Sequence, residues 1–175
     1  MTEPLSALSA QTTERLFLRP LVHADAHAFR AMTDDPAITD CVHFLDSPFT
    51  LENAERLILG AGDGRDCFWG VWLRDRPDLL GTVGTHLRDE AEIEIGYWFA
   101  PAAQGLGLAS EAGAAILTML RATYPERRIF AECRPENARS WRLLERLGFR
   151  SLRTPGARPG RARLTLQRTA APGQH

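Results

Sequence analysis

A glycine-containing loop between a strand pattern and a helix pattern constrains the fold of this chain more than any other feature. Branched and aromatic residues from Ile93 to Phe99 predict a strand that ends before Pro101. The loop 104–109 follows, and apolar residues at helical spacing then predict a helix: Ala112, Ala115, Ile116, Met119 and Leu120. Backbone N–H groups at a helix N-terminus lack intrahelical partners, and glycine allows a phosphate to approach closely. The arrangement therefore predicts an anion site.

Spacing separates two kinds of phosphate loop. The dinucleotide pattern G-x-G-x-x-G needs its first glycine at the end of the strand, but residues 100–104 intervene before Gly105, and Ser110 replaces the third glycine. The pattern Q/R-x-x-G-x-G/A fits at each fixed position, which are Gln104, Gly107 and Ala109. This loop resembles the acyl-CoA pyrophosphate loop of the GNAT superfamily of N-acetyltransferases.

A second motif supports the same resemblance. A strand pattern covers residues 129–133, and Asn137 is a good N-cap for a helix that ends at Gly148. The segment 137–149 reads N-x-x-S-x-x-L-x-E-x-L-G-F, which resembles the last conserved block of GNAT enzymes. Three further segments resemble the RimJ/RimL-like branch, the N-terminal acetyltransferases of ribosomal proteins: 13–26, 34–36 and 48–50.

Chain length and element order predict the architecture. A chain of 175 residues forms one domain that buries roughly two-thirds of its unfolded surface. The order of strands and helices predicts a mixed, mostly antiparallel α/β sheet, and the resemblance implies about seven strands and four helices. We expect a single GNAT domain over residues 12–168, a flexible N-terminal tail over 1–11, a C-terminal tail over 169–175 and a mobile link over 155–160.

Composition excludes several classes of protein. No stretch approaches the roughly 18 consecutive apolar residues that a transmembrane helix needs, and residues 1–10 do not resemble a signal peptide. The three cysteines, Cys41, Cys67 and Cys133, form no C-x-x-C pair, which favours reduced thiols in a cytoplasmic protein. The five histidines show no metal-ligand spacing, so we predict no metal site.

Charge is distributed unevenly along the chain. All 21 basic residues are arginine; 13 of them lie from Arg121 onward against 4 acids, whereas the first 120 residues hold 8 arginines and 18 acids. One interpretation is a GC-rich genome and a solvated surface. The functional alternative is that the basic half attracts a polyanionic cofactor and the acidic half attracts a cationic amine. A pI of about 6.5 without interleaved aromatic residues argues against nucleic-acid binding.

The resemblance implies acetyl-CoA as the cofactor and assigns residues that hold it. Backbone N–H groups of the loop would surround the pyrophosphate, a backbone N–H at a bulge in the strand at 97–99 would polarise the thioester carbonyl, and Asn137 would contact the pantetheine arm. Many relatives carry Lys or Arg where this chain has Leu106, so arginines elsewhere must supply charge. The predicted cofactor-binding residues are Tyr97, Trp98, Phe99, Gln104, Gly105, Leu106, Gly107, Leu108, Ala109, Ser110 and Asn137.

Amine acetylation also needs a base and an acid. Glu94 is the predicted general base, acting through water, because it alternates onto one strand face with Glu92 and Gly96 and lies nearer the predicted bulge. Glu92 and His86 are the alternatives.

For the acid, many GNAT enzymes use a tyrosine where this chain has Leu144, so we assign Ser140, a hydroxyl earlier in the same helix, as the RimJ/RimL-like resemblance suggests. Ser140 could instead bond back to Asn137 as a first-turn residue. Cys133 has no paired base in the sequence, which argues against covalent catalysis.

The predicted function is direct transfer of an acetyl group from acetyl-CoA to a primary amine, such as a protein N-terminal α-amine. One alternative is a small-molecule amine acceptor: a polyamine, an amino acid or an antibiotic. Another is an acyl-CoA-binding regulatory module without catalysis. We expect no nucleic-acid or membrane partner, and a monomer or homodimer.

Overall fold

The computed structural model describes residues 4–167, and these form one sheet with helices on both faces. The α-helices are α1 (Ala26–Thr33), α2 (Pro36–Thr39), α3 (Leu51–Leu59), α4 (Leu108–Thr123) and α5 (Ala138–Arg146). The strands are β1 (Gln11–Thr12), β2 (Leu16–Pro20), β3 (Asp66–Leu73), β4 (Leu79–Arg88), β5 (Glu92–Phe99), β6 (Arg128–Cys133), β7 (Phe149–Pro155) and β8 (Ala162–Leu166). Short 3-10 helices cover Leu5–Ala7, His23–Asp25 and Pro101–Ala103.

The sheet confirms the predicted mixed, mostly antiparallel α/β class. Its strand order is β1-β2-β3-β4-β5-β6-β8-β7, and every neighbouring pair is antiparallel except β5 and β6. The parallel pair is joined by a crossover through α4, as parallel strands require. The eight strands and five α-helices exceed the predicted counts by the two-residue β1 and the four-residue α2, which are too short to give a periodic signal.

Strand alternation gives the sheet two different faces. On one face, Ile93, Ile95 and Phe99 of β5 pack against Ile116 and other apolar residues of α4. On the other face, Trp98 packs in a second cluster with Phe29 of α1 and Ala54 of α3. Glu94 and Gly96 share this second face with Trp98, because they are four and two residues before it, respectively.

Strands β5 and β6 separate partway along their length, and this separation positions the site. Their parallel pairing covers only Glu92 to Glu94 against Arg128 to Phe130. Beyond Glu94, β5 is paired only with β4, while β6 remains paired with β8. The main-chain groups of residues 95–99 that point toward β6 therefore have no strand partner, and a wedge-shaped opening passes through the sheet.

Two segments differ from the sequence-based expectation. Part of the predicted N-terminal tail is packed, because Leu5 is fully buried in the main core cluster and its N–H donates to the carbonyl of Gly64 at 3.1 Å. The link over 155–160, expected to be mobile, is held by Glu132, whose carboxylate accepts the N–H groups of Ala157 at 2.6 Å and Arg158 at 3.3 Å. The predicted tail over 169–175 lies outside the described residues.

Candidate active site

The glycine loop, residues 104–110, presents a set of free backbone donors. Gly105 and Gly107 adopt φ angles of +78° and +77°, a left-handed conformation that favours glycine. The N–H groups from Gly105 to Ser110 have no acceptor within residues 4–167, and the first intrahelical bond is from Glu111 to the carbonyl of Gly107 at 3.1 Å. Six such donors at the N-terminus of a sixteen-residue helix can bind an anion such as a phosphate group.

Two arginines from distant segments contact the loop, in which Leu106 carries no charge. Arg139 of α5 donates to the side-chain carbonyl of Gln104, whose amide donates in turn to the carbonyl of Phe99 at 3.0 Å. Arg15 binds Glu111 at 2.6 Å and donates to the carbonyl of Leu106 at 2.9 Å. No local sequence pattern predicts that these two side chains meet the loop.

Ser140 lies at the cavity wall near α4, hydrogen-bonded to Tyr97. Its Oγ atom is 2.7 Å from the phenolic oxygen, and burial raises the pKa of Tyr97, so the phenol is protonated at neutral pH. Asn137 caps α5 as predicted, because its side chain accepts the backbone N–H of Ser140 at 3.1 Å. The hydroxyl of Ser140 is therefore not used in that cap. Burial also raises the pKa of the neighbouring Cys133 thiol, which keeps it protonated.

The predicted bulge at 97–99 is absent. The β4–β5 register runs without a shift from Gly81 opposite Phe99 to Arg88 opposite Glu92. The separation of β5 from β6 is what frees main-chain groups along this part of β5. The side chain of Trp98 points to the other face, where its indole N–H donates to Thr33 at 3.0 Å.

Asp66, His86 and Glu94 lie side by side on that second face. Asp66 is directly opposite His86 on β3 and β4, and His86 is directly opposite Glu94 on β4 and β5. The Nδ1 atom of His86 is 2.6 Å from Oδ1 of Asp66. This bond lowers the pKa of Asp66, so the carboxylate accepts and Nδ1 donates. A Cβ on Gly84 would lie 2.9 Å from Nε2 of His86, so glycine makes room for the ring.

The Nε2 atom of His86 is available to a ligand. It makes no hydrogen bond within residues 4–167. Every buried side-chain nitrogen or oxygen in that range has a hydrogen-bond partner, so an atom without one is not buried. Nε2 is therefore reachable from solvent, and His86 lines the cavity.

Glu94, by contrast, is fully engaged. The residue is 8% exposed, and its carboxylate binds Arg158 at 2.5 Å and Arg88 at 2.8 Å. Burial raises its pKa, but the hydrogen bonds from Arg158 and Arg88 outweigh burial and leave the pKa lowered. Glu92 is similarly bound by Arg163 at 2.5 Å and Arg128 at 3.0 Å. Neither carboxylate is a free proton acceptor.

A single cavity of about 780 Å³ joins both faces through the opening between β5 and β6. Near α4 it is lined by the glycine loop, Tyr97 and Ser140. We call the opposite part the distal end. Its lining comes from α2, the loop after α2, two aromatic residues of β3 and β5, and the segment between β7 and β8: Ile38, Cys41, Val42, His43, Phe44, Phe68, Trp98, Arg158 and Arg161. The structure brings every predicted site residue except Leu106 to the cavity wall.

The cavity and its free donors are found in a fold shared with known acetyltransferases. The profile described as the acetyltransferase (GNAT) domain matches residues 15–150. The chain belongs to the GNAT acetyltransferase family. It is similar to the uncharacterized N-acetyltransferase YnaD of Bacillus subtilis, with 34% identity over 141 residues that cover 79% of this chain and 81% of YnaD.

Solved GNAT structures agree with this assignment. A GNAT-family acetyltransferase from Bacillus anthracis has a TM-score of 0.76 at 25% identity and covers 90% of this chain and 98% of its own. RimJ of Mycobacterium smegmatis, solved with CoA-disulfide, has a TM-score of 0.70 at 23% identity and covers 86% and 81%. RimJ, a putative ribosomal-protein-serine acetyltransferase and a ribosomal-protein-S5-alanine acetyltransferase, at 18% to 23% identity, share this fold. The family identifies this GNAT protein as an acetyl-CoA-dependent N-acetyltransferase.

No helix within residues 4–167 is long and apolar enough to span a membrane.

Proposed function

We propose that this protein transfers an acetyl group from acetyl-CoA to a primary amine by direct attack on the thioester, without an acyl-enzyme. The observation that carries the proposal is the single cavity that crosses the sheet. It offers free N–H donors for phosphates near α4 and a separate approach for an amine at the distal end. Two substrates entering from opposite faces would meet between β5 and β6. The protonated Cys133 also favours direct transfer, because no thiolate nucleophile is available there.

Acetyl-CoA supplies the activated acetyl group, and the glycine loop would hold its phosphates. Arg139 would add a positive charge beside Gly105, where its Nη2 atom lies 4.0 Å from the position of an added Cβ. Main-chain N–H groups near Tyr97, Trp98 and Phe99 would polarise the thioester carbonyl. Leu108 is buried between the cavity and the core, so its contribution is apolar packing.

His86 is better placed than Glu94 to accept the proton of the amine. Its Nε2 atom is free and reachable, and Asp66 fixes the ring with the proton on Nδ1. Glu94 holds two arginines, and its lowered pKa makes it a weaker base. A role for Glu94 as base remains the alternative, and the pH dependence described below distinguishes the two.

Ser140 would donate a proton to the departing thiolate while Tyr97 passes one to Ser140, and Tyr97 would then regain its proton from water in the cavity. The phenol of Tyr97 is protonated at neutral pH and lies within hydrogen-bonding distance of Ser140, so a proton can pass from one hydroxyl to the other. The pair replaces the tyrosine that many GNAT enzymes carry where this chain has Leu144.

A binding and turnover experiment tests this function. CoA should raise the thermal unfolding midpoint by mass action, whereas NAD should not. Thiol release from acetyl-CoA, measured with peptides, amino acids, polyamines and an aminoglycoside, should exceed the acceptor-free rate for at least one amine. CoA binding without thiol release for any amine would support the non-catalytic alternative, and a response to NAD alone would contradict the cofactor assignment.

A further inference from the structure

Each carboxylate around the distal end has an arginine beside it. Glu94 is bound by Arg88 and Arg158, and Asp66 accepts a hydrogen bond from His86 and lies 3.9 Å from Arg88. Glu132 has a side chain that is 3% exposed and binds Arg158 at 3.1 Å. Within residues 4–167, no carboxylate at this end lacks an arginine neighbour. The expectation that the acidic half of the chain draws in a cationic amine therefore finds no unpaired acid among the described residues of this site.

Arg161, in contrast, forms no ion pair within residues 4–167, and its guanidinium donates only to the carbonyl oxygens of Glu132 at 3.3 Å and Cys41 at 3.5 Å. Burial is the largest cause that lowers the pKa of Arg161. The positive charges of Arg134 and Arg158 lower it further, and the attraction of the Glu132 carboxylate does not offset them. A half-buried cation among other cations is costly, and a bound anion would offset that cost.

The position of Arg161 separates this charge from the phosphates of acetyl-CoA. Its contact with Cys41 places it against the loop after α2, on the face where Phe44 packs at 5.8 Å from Trp98. The glycine loop opens at α4, on the other face of the sheet. An anion at Arg161 therefore belongs to the molecule that enters from the distal end.

Apolar side chains surround the same entrance. Phe44 is 42% exposed and packs edge-on against His43 at 5.1 Å. Both residues line the cavity, so an acceptor can contact Phe44 with an apolar group while an anionic group meets Arg161.

We propose that the acceptor is a primary amine that also carries a carboxylate, which Arg161 binds while the amine faces His86. This inference rests on the proposed acetyl transfer. The shared chemistry is that of an apolar α-amino acid or of a peptide with an acidic second residue. It excludes polyamines as preferred acceptors, because they offer no anion and would bring more positive charge to Arg158 and Arg161.

Matched acceptors test the inference. We would compare L-phenylalanine with L-phenylalaninamide, and the amidated dipeptides Phe-Asp and Phe-Asn, in the thiol-release assay, with spermidine as the cationic arm. In at least one pair, we expect kcat/KM to be about tenfold higher for the acceptor that carries the carboxylate. This is the size of effect that one charge-assisted hydrogen bond to Arg161 would produce. L-phenylalaninamide has a less basic amine than L-phenylalanine, so more of it is unprotonated at neutral pH. Amine reactivity alone would therefore favour the amide, which is the opposite of the expected result.

Arg161→Gln should remove the preference by raising KM for the carboxylate acceptor while leaving kcat/KM for its neutral partner unchanged. Arg142→Gln, on the exposed side of α5, is the matched control and should leave both unchanged. Melting temperatures of the two variants establish that both are folded. Equal or better turnover of the neutral acceptors or spermidine by the wild type would overturn the inference and leave acetyl transfer intact.

A binding measurement keeps the inference testable without turnover. With CoA present, N-acetyl-L-phenylalanine should raise the melting temperature more than its amide does if the acceptor is a free amino acid. If the acceptor is a peptide, acetylated Phe-Asp should raise it more than acetylated Phe-Asn does. The difference should vanish in Arg161→Gln. If neither pair differs, the carboxylate site is overturned. If products bind as expected but no amine releases thiol, it is the acetyl transfer that fails.

Discussion

The phenolic oxygen of Tyr97 lies 2.7 Å from Oγ of Ser140 and so links β5 to α5 at the wall of the cavity. Ser140 was expected to act alone, and Tyr97 only through its main chain. The contact gives both hydroxyls one environment, in which a proton can move between them.

The first prediction concerns this pair. Ser140→Ala should lower kcat by roughly one to two orders of magnitude with little change in CoA affinity, because a proton donor acts mainly in the transition state. Tyr97→Phe should cause a smaller loss, since water can restore the proton on Ser140. Turnover and melting temperature should be measured together. An unchanged rate with a lowered melting temperature would assign Ser140 a structural role.

The second prediction concerns the base. His86→Gln should lower kcat/KM at neutral pH by roughly two orders of magnitude, within the usual range for a general base, and the loss should shrink as pH rises and the free amine becomes abundant. Asp66→Asn should cause a smaller loss, because it removes only the group that orients the ring. Glu94→Gln is the comparison. If Glu94→Gln alone shows a loss that recovers at high pH, Glu94 is the base and His86 is not.

The third prediction concerns cofactor charge. Arg139→Ala should weaken CoA binding about tenfold in isothermal titration, because it removes a charge-assisted contact beside the glycine loop. Arg142→Ala, one turn further along the same helix but outside the main cavity, should leave the Kd unchanged. Equal weakening by both variants would indicate general attraction of the basic helix rather than a specific contact.

The fourth prediction concerns acid stability. Because the folded-state pKa of Glu94 is below its ordinary value of 4.5, its contribution is fully present above that value and is lost as pH falls through the folded-state pKa. Glu94→Gln should therefore lower the melting temperature most at neutral pH, and the difference from wild type should shrink below pH 4.5. Glu90→Gln, at an exposed position, should track the wild type at every pH. A constant difference for Glu94→Gln across the acid range would contradict the ionic origin of this stability.

Local signals made much of the fold predictable from the sequence. Thr50 caps α3 and Gly60 follows its end, Asn137 caps α5, and the glycine loop leads into α4, each as the sequence predicts. These features depend on a few adjacent residues whose backbone preferences are strong. The short β1 and α2 were missed because two and four residues carry too little periodicity.

The sequence by itself thus determined the class of the sheet, the glycine loop before α4 and the family. Only the tertiary structure decided which side chains meet at the distal end of the cavity. A register shift between Val71 and Trp72 moves β3 by one residue along β4. In the register of Trp72 opposite Leu79, Asp66 would lie opposite Thr85; the shift places it opposite His86. Arg158 and Arg161 likewise reach the site from a link far along the chain, because long-range packing, which no local pattern encodes, folds that link over β6.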